Sequence, residues 1–318
     1  MDQFCTDEDS PYFGVKYNTQ ANLDHFLKIV VGTVGERQVG KLLGPDYKRW
    51  HKKWGEPKQP GGKPRPWRAK HCMTAWRWAT SYGVTIGFAD CLRADTILGK
   101  LRFRQPPPRT AKLELEHVNA IRAIAHAMGL GSIALATTIQ FELDLRQKDV
   151  IGEWEPAPQI EGGIAYRGRR WVNGILWTDI DANQILRKTH TKTKIPLEYD
   201  LKEYPAILEE FAKSPPERRV GPLVVYERTG RPYKADVFGR TWRAIANAAG
   251  VPPEVQNRDA RAGGISEGRD AGVPIADNMK LSGHLNQQTH ERIYNRSSLP
   301  QTRRVARLRH AWRDENKT

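Results

Sequence analysis

The sequence predicts a protein that is mainly α with a small antiparallel β-sheet, an α+β protein built from two domains. The chain has 318 residues, which is enough for about two domains that each bury a core. Helical periodicity occurs in both halves, whereas strand-like segments are confined to the second half. Three consecutive prolines at 106–108, flanked by basic residues, predict a stiff extended linker between the two domains.

The domain boundaries follow from periodicity and from this linker. The first twenty residues lack periodicity and are expected to be a loose arm. The predicted segments are an N-terminal arm at 1–20, a helical domain at 21–105, a linker at 106–112, a second domain at 113–298 and a C-terminal helix or tail at 299–318. In the tail, Val305, Leu308 and Trp312 fall on one side of a helix, which predicts an apolar face there.

The second domain has clear signals for its elements. The predicted helices span 115–128, 131–143, 204–213 and 237–249, and the predicted strands are GILWTDIDA, QILRKTHT, KIPLEYDL and PLVVYE. Residues 152–174 are rich in glycine, proline and charge, which predicts an inserted loop rather than regular structure.

The charge of the chain indicates the kind of partner. It carries 51 lysines and arginines against 36 acidic residues, a formal net charge of +15 with an isoelectric point near 9.8. A strongly basic protein favours a polyanionic partner, with nucleic acid ahead of a membrane surface. A merely soluble basic protein is the alternative explanation of the charge alone.

Several other classes of protein are not indicated. Cys5, Cys72 and Cys91 are odd in number and widely spaced, which suggests neither a disulfide framework nor a zinc site. The first residues are acidic and no apolar stretch follows them, so no secretory signal is expected. No run approaches 18 apolar residues, so no membrane span is expected. We therefore expect a cytoplasmic protein without a metal site.

Cations and aromatic rings alternate between residues 48 and 70. Lysine and arginine suit a phosphate backbone and tryptophan suits sugars or bases, so this stretch is predicted to bind DNA. The candidate DNA-binding residues are Lys48, Arg49, Lys52, Lys53, Lys63, Arg65, Arg68 and Lys70, together with Arg240 and Arg243 on the outward side of helix 237–249. Alternatively, Trp50, Trp54 and Trp67 form a helix core and the cations a solvated face, and one set of residues can do both.

The candidate catalytic residues are concentrated near the C-terminus. A helix at 261–271 is predicted to end at Gly272, because glycine favours helix C-termini and Pro274 lies just beyond. A second short helix and a third amphipathic piece follow. The four side chains expected to meet are Arg258, Arg261, His284 and Tyr294.

Arginine, histidine and tyrosine together make a poor metal site but a good phosphate site. Guanidinium groups bind phosphate oxygens through paired hydrogen bonds, imidazole transfers protons near neutral pH, and phenol is a potential nucleophile. The combination indicates covalent phosphoryl transfer.

In this stretch the sequence resembles the tyrosine recombinase, or phage integrase, family. Arg261 closes the family's HxxR box, the segment LSGH ending at His284 resembles its LGH box, and Tyr294 stands at its nucleophile. Arg258 stands where the family usually has histidine. His284 and Tyr294 are ten positions apart, where nine is more common in the family.

The resemblance extends to positions nearer the N-terminus. Arg146, followed three residues later by Asp149, resembles the family's first arginine box, in which the carboxylate orients the guanidinium. Asp144 stands where the family commonly has glycine, a position that favours a left-handed turn, which aspartate tolerates. The candidate for the family's β-hairpin lysine is Lys192, with Lys194 and Lys188 as alternatives.

The resemblance also implies a function. A helical core-binding domain and a catalytic domain would clamp double-stranded DNA from opposite sides. The tyrosine would form a 3′-phosphotyrosine that another 5′ hydroxyl reseals, without ATP, metal or other cofactors. The expected protein is a site-specific recombinase that acts as a homo-oligomer, a tetramer on DNA, with its C-terminal helix docking either into a neighbouring protomer or onto its own domain. Two alternatives stay open: a recombinase-derived DNA-binding protein that no longer cuts, and a type IB topoisomerase-like enzyme.

Overall fold

The computed structural model describes residues 1–157, 163–296 and 299–315. Most of these residues are helical and the strands form small antiparallel sheets, so the predicted α+β class is confirmed. The chain divides into two compact units, Met1–Pro108 and Arg109–Thr318, and this division falls within the proposed linker. Within the described ranges, no helix is long and apolar enough to cross a membrane.

The first unit is built from helices. They are α1 (Asp2–Thr6), α2 (Tyr17–Val34), α3 (Gly44–Gly55), α4 (Pro66–Thr85) and α5 (Ala89–Lys100), with a short 3-10 helix at Val39–Lys41. Pro45 and Pro66 lie in the first turns of α3 and α4, where the missing N–H leaves no helical hydrogen bond unmade.

The N-terminal residues differ from the loose arm that the sequence predicts. α1 forms there, and Phe4 is buried against Tyr82 of α4, with ring centroids 5.9 Å apart. The hydroxyl of Tyr82 also donates a hydrogen bond to the carboxylate of Asp7. Isolated contacts such as those of Phe4 and Asp7 with Tyr82 anchor this segment, and they leave no periodicity in a sequence.

Aromatic side chains form much of the core of the first unit. Trp50 and Trp54 of α3 are 5% and 1% exposed, and both pack against Trp76 of α4. Trp67 is 48% exposed, with the amino group of Lys70 4.9 Å from its ring centroid. The core interpretation therefore holds for two of the three tryptophans, and the third lies at the surface.

The second unit contains the other helices and the strands of the described chain. Its α-helices are α6 (Leu115–Ala127), α7 (Gly131–Glu142), α8 (Gln147–Ile151), α9 (Pro205–Ala212), α10 (Ala235–Ala248), α11 (Ala260–Ala271), α12 (Ile275–Ser282), α13 (Gln287–Thr289) and α14 (Leu299–Glu315). Short 3-10 helices lie at Trp177–Asp179, Leu201–Glu203, Pro216–Arg218 and Asn257–Asp259, and a π-helix lies at His290–Tyr294. The strands are β1 (Glu153–Pro156), β2 (Ala165–Tyr166), β3 (Arg169–Val172), β4 (Ile185–Thr189), β5 (Pro196–Asp200), β6 (Val225–Tyr226) and β7 (Arg231–Pro232). They form antiparallel sheets ordered β1-β3-β2, β4-β5 and β6-β7.

α7 lies at the centre of the second unit. It is apolar around most of its circumference and is packed against α6, α9 and α11. Gly263 and Gly264 let α11 approach closely, because a Cβ atom added to them would lie 2.0 Å from the carbonyl oxygen of Leu113 and 2.2 Å from that of Phe141, respectively. The backbone that carries Arg261 is therefore fixed directly against the core.

Residues 152–174 differ from the inserted loop that the sequence predicts. They contain the β1-β3-β2 sheet, apart from 158–162, which lie outside the described residues. The ring of Trp171 fits between Gly152 and Gly174, where an added Cβ atom would lie 2.3 Å and 2.1 Å from it. The packing of one ring between two glycines stabilises this sheet. Such packing does not require the alternation of apolar and polar residues by which a strand is predicted from a sequence.

The predicted hairpin QILRKTHT and KIPLEYDL is confirmed as β4 and β5. Leu186 and Tyr199 face each other across it, and both are buried. GILWTDIDA, by contrast, forms the 3-10 helix Trp177–Asp179 rather than a strand, because the Asp179 carboxylate accepts the backbone N–H of Leu176 at 2.8 Å.

Candidate active site

Arg261 lies at the centre of the candidate site. It is the second residue of α11 and is 2% exposed. Its guanidinium donates hydrogen bonds to the carbonyl oxygens of Asp144 and Ser282, the latter at 2.7 Å. A further N–H of the same group donates to Nε2 of His284 at 2.8 Å. The protein itself therefore holds this guanidinium in place.

Asp144 supplies one of these carbonyl groups from the turn after α7. Its φ is 53°, so the left-handed conformation expected at this position is confirmed. Its carboxylate is fully buried, and burial raises its pKa well above the usual value. A carboxyl group shifted towards its neutral form compensates the positive charge of Arg261 less than an ionised carboxylate would.

Arg146 lies immediately before α8 and its side chain is partly exposed. Its Nη1 atom lies 4.0 Å from a carboxylate oxygen of Asp149 and contacts both ring nitrogens of His190, with Nδ1 at 3.0 Å. Arg146 directly precedes α8 and Asp149 lies in its first turn, so the carboxylate lies close enough to orient the guanidinium.

His190 completes this arrangement, and the sequence analysis does not identify it. It is fully buried directly after β4, with Nε2 3.2 Å from Asp149, whose other oxygen accepts the N–H of Thr191 at 2.9 Å. Burial would raise the pKa of Asp149, but the hydrogen bonds from His190 and Thr191 outweigh it and hold the pKa below its usual value. Burial lowers the pKa of His190, so its imidazole is shifted towards the neutral form beside a carboxylate whose pKa is held low. The available sequence signal was its place in the hairpin, two residues before Lys192.

His284 follows α12, which ends at Gly283 with a φ of 64°. The imidazole is 9% exposed, and its Nδ1 lies 2.9 Å from the hydroxyl oxygen of Ser282. Burial and then the charge of Arg261 lower the pKa of His284 to about 2. His284 is therefore neutral at physiological pH, and its Nε2 carries a lone pair because arginine can only donate.

Tyr294 reaches the same place from the C-terminal side. Its ring centroid lies 4.5 Å from that of His284 and 5.2 Å from Cζ of Arg261. Its side chain is partly buried. A guanidinium, an imidazole and a phenol are thus in mutual contact, as the spacing of the three residues predicts.

A π-helix accounts for the separation of ten residues between His284 and Tyr294. The last turn before the tyrosine, His290–Tyr294, is π-helical, and a π-helix accommodates one more residue per hydrogen-bonded turn than an α-helix. The tyrosine ring therefore still contacts His284 despite the longer separation.

Two guanidinium groups act on this region. Burial and then the charge of Arg146 lower the pKa of Arg261 to about 10, and the charge of Arg146 also acts on His284. An anion between two cations that the protein holds close together relieves their repulsion. The arrangement is suited to bind a phosphate beside the tyrosine.

The structure is similar to solved structures of DNA-bound integrases. A lambda integrase dimer bound to a COC′ core site matches with a TM-score of 0.68 at 13% identity, over 89% of this chain and 89% of that chain. A lambda integrase tetramer bound to a Holliday junction matches with a TM-score of 0.69 at 13% identity, over 93% and 77% of the two chains. The Tn1549 transposon integrase in complex with circular intermediate DNA matches with a TM-score of 0.65 at 13% identity, over 96% of both chains. This chain has the integrase fold.

The likeness lies in structure rather than in sequence, since no protein-family model and no curated protein matches the chain.

In this integrase fold, the β4-β5 hairpin carries the candidate lysines. Lys192 and Lys194 are exposed in the turn between the strands. The amino group of Lys188 donates to the carbonyl oxygen of Gly174 at 2.6 Å, and burial lowers its pKa. Two of the three candidate lysines are thus exposed, and the third is anchored by a hydrogen bond.

Arg258 does not contact the other predicted catalytic side chains. It is exposed in the 3-10 helix Asn257–Asp259, and its Nε donates to the side chain of Gln256 at 2.7 Å. In the described chain, no hydrogen bond or ring contact joins it to Arg261, His284 or Tyr294.

The candidate DNA-binding cations differ in exposure. Those exposed in the first unit are Lys48, Arg49, Lys52, Lys53 and Lys63, whereas Arg65, Arg68 and Lys70 are partly buried. In the second unit, Arg240 is exposed and pairs with Asp236 at 3.0 Å. Arg243, predicted to face outwards, folds back and donates to the carbonyl oxygens of Pro252 and Val255, so it holds the loop after α10.

Among the residues described, no group of three or more histidine, cysteine or acidic side chains is placed to hold a metal ion.

Proposed function

We propose that this protein is a site-specific DNA recombinase, or integrase, that breaks and rejoins DNA strands through a 3′-phosphotyrosine intermediate. One observation carries the proposal: Arg261, His284 and Tyr294 are in mutual contact, within reach of the charge of Arg146. The integrase fold and the net charge of +15 support DNA as the substrate.

The first step is attack of the Tyr294 hydroxyl oxygen on a phosphodiester phosphorus. Negative charge on the non-bridging oxygens grows in the transition state, so the guanidinium groups of Arg146 and Arg261 stabilise it more than the ground state. The bond from phosphorus to the 5′ oxygen breaks, and the 3′ phosphate stays on the tyrosine. Because a phosphoester bond is kept, the 5′ hydroxyl of another strand can reverse the step and release the tyrosine.

Two protons move during cleavage. A phenol is mostly neutral at pH 7, so Tyr294 loses its proton as it attacks, and we assign Nε2 of His284, whose ring contacts that of the tyrosine, as the acceptor. The leaving 5′ oxygen gains a proton from a hairpin lysine. We assign this role to Lys192, with Lys194 and Lys188 as alternatives. Neither a metal ion nor a nucleotide cofactor has a part in this scheme.

Covalent capture tests the proposed function. The protein is incubated with a random-sequence library of nicked DNA fragments, and the fragments that stay attached after denaturation are sequenced. We expect one recurring sequence, attached through its 3′ phosphate. Salt-sensitive binding without any attachment would favour the DNA-binding protein that no longer cuts. Relaxation of supercoiled plasmid without a recurring sequence would favour the topoisomerase-like enzyme.

Replacing the leaving oxygen by sulfur is expected to identify the catalytic lysine. A thiolate is a good leaving group without being protonated, whereas an alkoxide leaves readily only when it gains a proton. Lys192→Ala is expected to slow cleavage of an ordinary strand by about 10³-fold, yet to cleave a 5′-bridging phosphorothiolate strand near the wild-type rate. Lys194→Ala and Lys188→Ala are the matched comparisons in the same single-turnover assay. Rescue confined to either of those variants would move the role to that lysine.

We also propose that α14 joins protomers on DNA. Val305, Leu308 and Trp312 are 54%, 65% and 65% exposed, so most of the surface of these apolar side chains is in contact with solvent. The start of the helix is tied to α11, where Arg304 donates to the carbonyl oxygen of Asp270 at 3.1 Å. A second copy would remove this apolar face from water.

The double variant Leu308→Ser, Trp312→Ser is expected to weaken assembly on DNA. Two apolar side chains contribute roughly 3 kcal/mol or more when buried, which corresponds to about 10²-fold in the association constant per docked helix. The mass of the protein–DNA complex in solution, measured across protein concentrations, reports this change. Arg303→Ser, an exposed change on the same helix, is the control. Equal masses for both variants would contradict the docking role.

A further inference from the structure

We propose that His290 is a positioning residue that accepts a proton from His284 while His284 takes up the proton of Tyr294. The inference rests on the function proposed above, in which Tyr294 attacks a DNA phosphorus. The Nδ1 atoms of the two imidazoles lie 2.9 Å apart. His290 is fully buried and is the first residue of the π-helix that ends at Tyr294.

The contacts of His284 fix which of its nitrogens carries the proton. Arginine has only N–H donors, so the 2.8 Å contact with Arg261 makes Nε2 of His284 an acceptor. A neutral imidazole then carries its proton on Nδ1. This is the nitrogen that faces both Ser282 and His290, each at 2.9 Å.

The contacts of Ser282 then fix the state of His290. The Ser282 hydroxyl donates to the carbonyl oxygen of Asn278 at 2.8 Å, so its oxygen is an acceptor towards His284. Nδ1 of His290 is likewise an acceptor, because it lies against an N–H. His290 is therefore neutral with its proton on Nε2, and its Nδ1 shares the Nδ1 proton of His284 with the hydroxyl oxygen of Ser282.

Charge explains why a second imidazole is needed. Arg261 is the strongest charge acting on His284, and an imidazolium beside that guanidinium is unfavourable. The pKa of His290 has different causes. Burial lowers it most, the carboxylate of Glu291 raises it, and the charges of Arg269 and Arg261 lower it. Glu291 thus partly compensates a positive charge on His290. A positive charge is therefore less unfavourable on His290 than on His284, although His284 is the residue that contacts the tyrosine.

The proton transfers balance in both directions. A phosphate oxygen accepts the hydrogen bond that Arg261 donates to His284 in the free protein. Nε2 of His284 is then free to receive the proton of Tyr294. The Nδ1 proton of His284 passes to Nδ1 of His290, so His284 ends as the other neutral tautomer, with an N–H on Nε2. The positive charge rests on His290 until the strand is rejoined, when the same protons return. No further reactant is required.

The π-helix presents both side chains to His284. The ring centroids of His290 and Tyr294 lie 5.0 Å and 4.5 Å from that of His284. The extra residue between His284 and Tyr294 is therefore accommodated in the segment that holds the proton acceptor.

His290→Asn tests the inference, because the asparagine oxygen can still accept the hydrogen bond at the place of Nδ1 but cannot take up the proton. We expect DNA affinity and the thermal unfolding midpoint to stay near wild type, and single-turnover cleavage to slow by about 10²-fold. The wild-type rate is expected to fall at acid pH with a midpoint below the ordinary pKa of imidazole, because burial lowers the pKa of His290 and its protonated form accepts no proton. The variant is expected to lack this fall. His310→Asn, an exposed change in α14, is the control that leaves both rate and pH profile unchanged.

A more acidic tyrosine separates a proton role from a structural one. Replacing Tyr294 by 3,5-difluorotyrosine weakens the demand for a base, so it is expected to raise the rate of the His290→Asn protein by about 10-fold or more while changing the wild-type rate little. Equal rates and pH profiles for His290→Asn and wild type, or no selective gain from fluorination, would overturn the role of His290. Wild-type protein that forms no DNA adduct at all would overturn the proposed function itself, which is a different result.

Discussion

Tyr294→Phe is expected to abolish the covalent DNA adduct while leaving DNA binding intact. The change removes one oxygen atom, and without that atom no bond to phosphorus can form. The phenylalanine ring still packs beside His284 and Arg261, so the fold and the site are expected to persist. Adduct formation, followed by denaturing gel electrophoresis on the captured DNA sequence, is expected to fall by more than about 10⁴-fold.

Tyr226→Phe is the matched control for this variant. Tyr226 is partly buried in β6 and lies against Tyr233 with ring centroids 4.8 Å apart. We expect the control to form adducts at the wild-type rate. An adduct that persists in Tyr294→Phe and disappears in the control would place the nucleophile elsewhere.

Arg261→Lys is expected to lower the rate of cleavage by about 10³-fold although the charge is kept. A lysine ammonium cannot reach the acceptors that the planar guanidinium holds at once, and it cannot bind two phosphate oxygens side by side. The carbonyl groups of Asp144 and Ser282 would lose their donors, which costs about 1–3 kcal/mol of folding free energy. Single-turnover cleavage at saturating protein and a denaturant titration measure the two effects separately.

Arg218→Lys, an exposed change in a 3-10 helix of the same unit, is the control. It is expected to alter neither the rate nor the free energy of unfolding by more than about 0.5 kcal/mol. A cleavage rate of Arg261→Lys within a few-fold of this control would show that Arg261 does not stabilise the transition state.

The sequence predicted those parts of the molecule that local patterns specify. The helix at 261–271 was predicted from Gly272 and Pro274, and the structure forms α11 over Ala260–Ala271. The hairpin of β4 and β5 follows from two strand-like segments joined by a tight turn, and the buried pair Leu186 and Tyr199 holds the two strands together. Three of the four side chains expected to meet near the C-terminus do so, because short helices of fixed length join them.

Features that depend on distant packing were not predictable. His190 contacts Asp149 and His290 contacts His284, and no local pattern in the sequence marks either contact. The sheet at 152–174 depends on one tryptophan held between two glycines. Arg258 was grouped with Arg261 because of its spacing, yet the 3-10 helix directs it to Gln256.

The central claim is that one tyrosine oxygen takes the DNA phosphate, and peptide mapping of the trapped adduct tests it most directly. The protein is captured on its DNA sequence, digested with nuclease and protease, and analysed by mass spectrometry. We predict a nucleotide linked through its 3′ phosphate to the peptide that contains Tyr294. A nucleotide on any other residue, or one linked through a 5′ phosphate, would contradict this account.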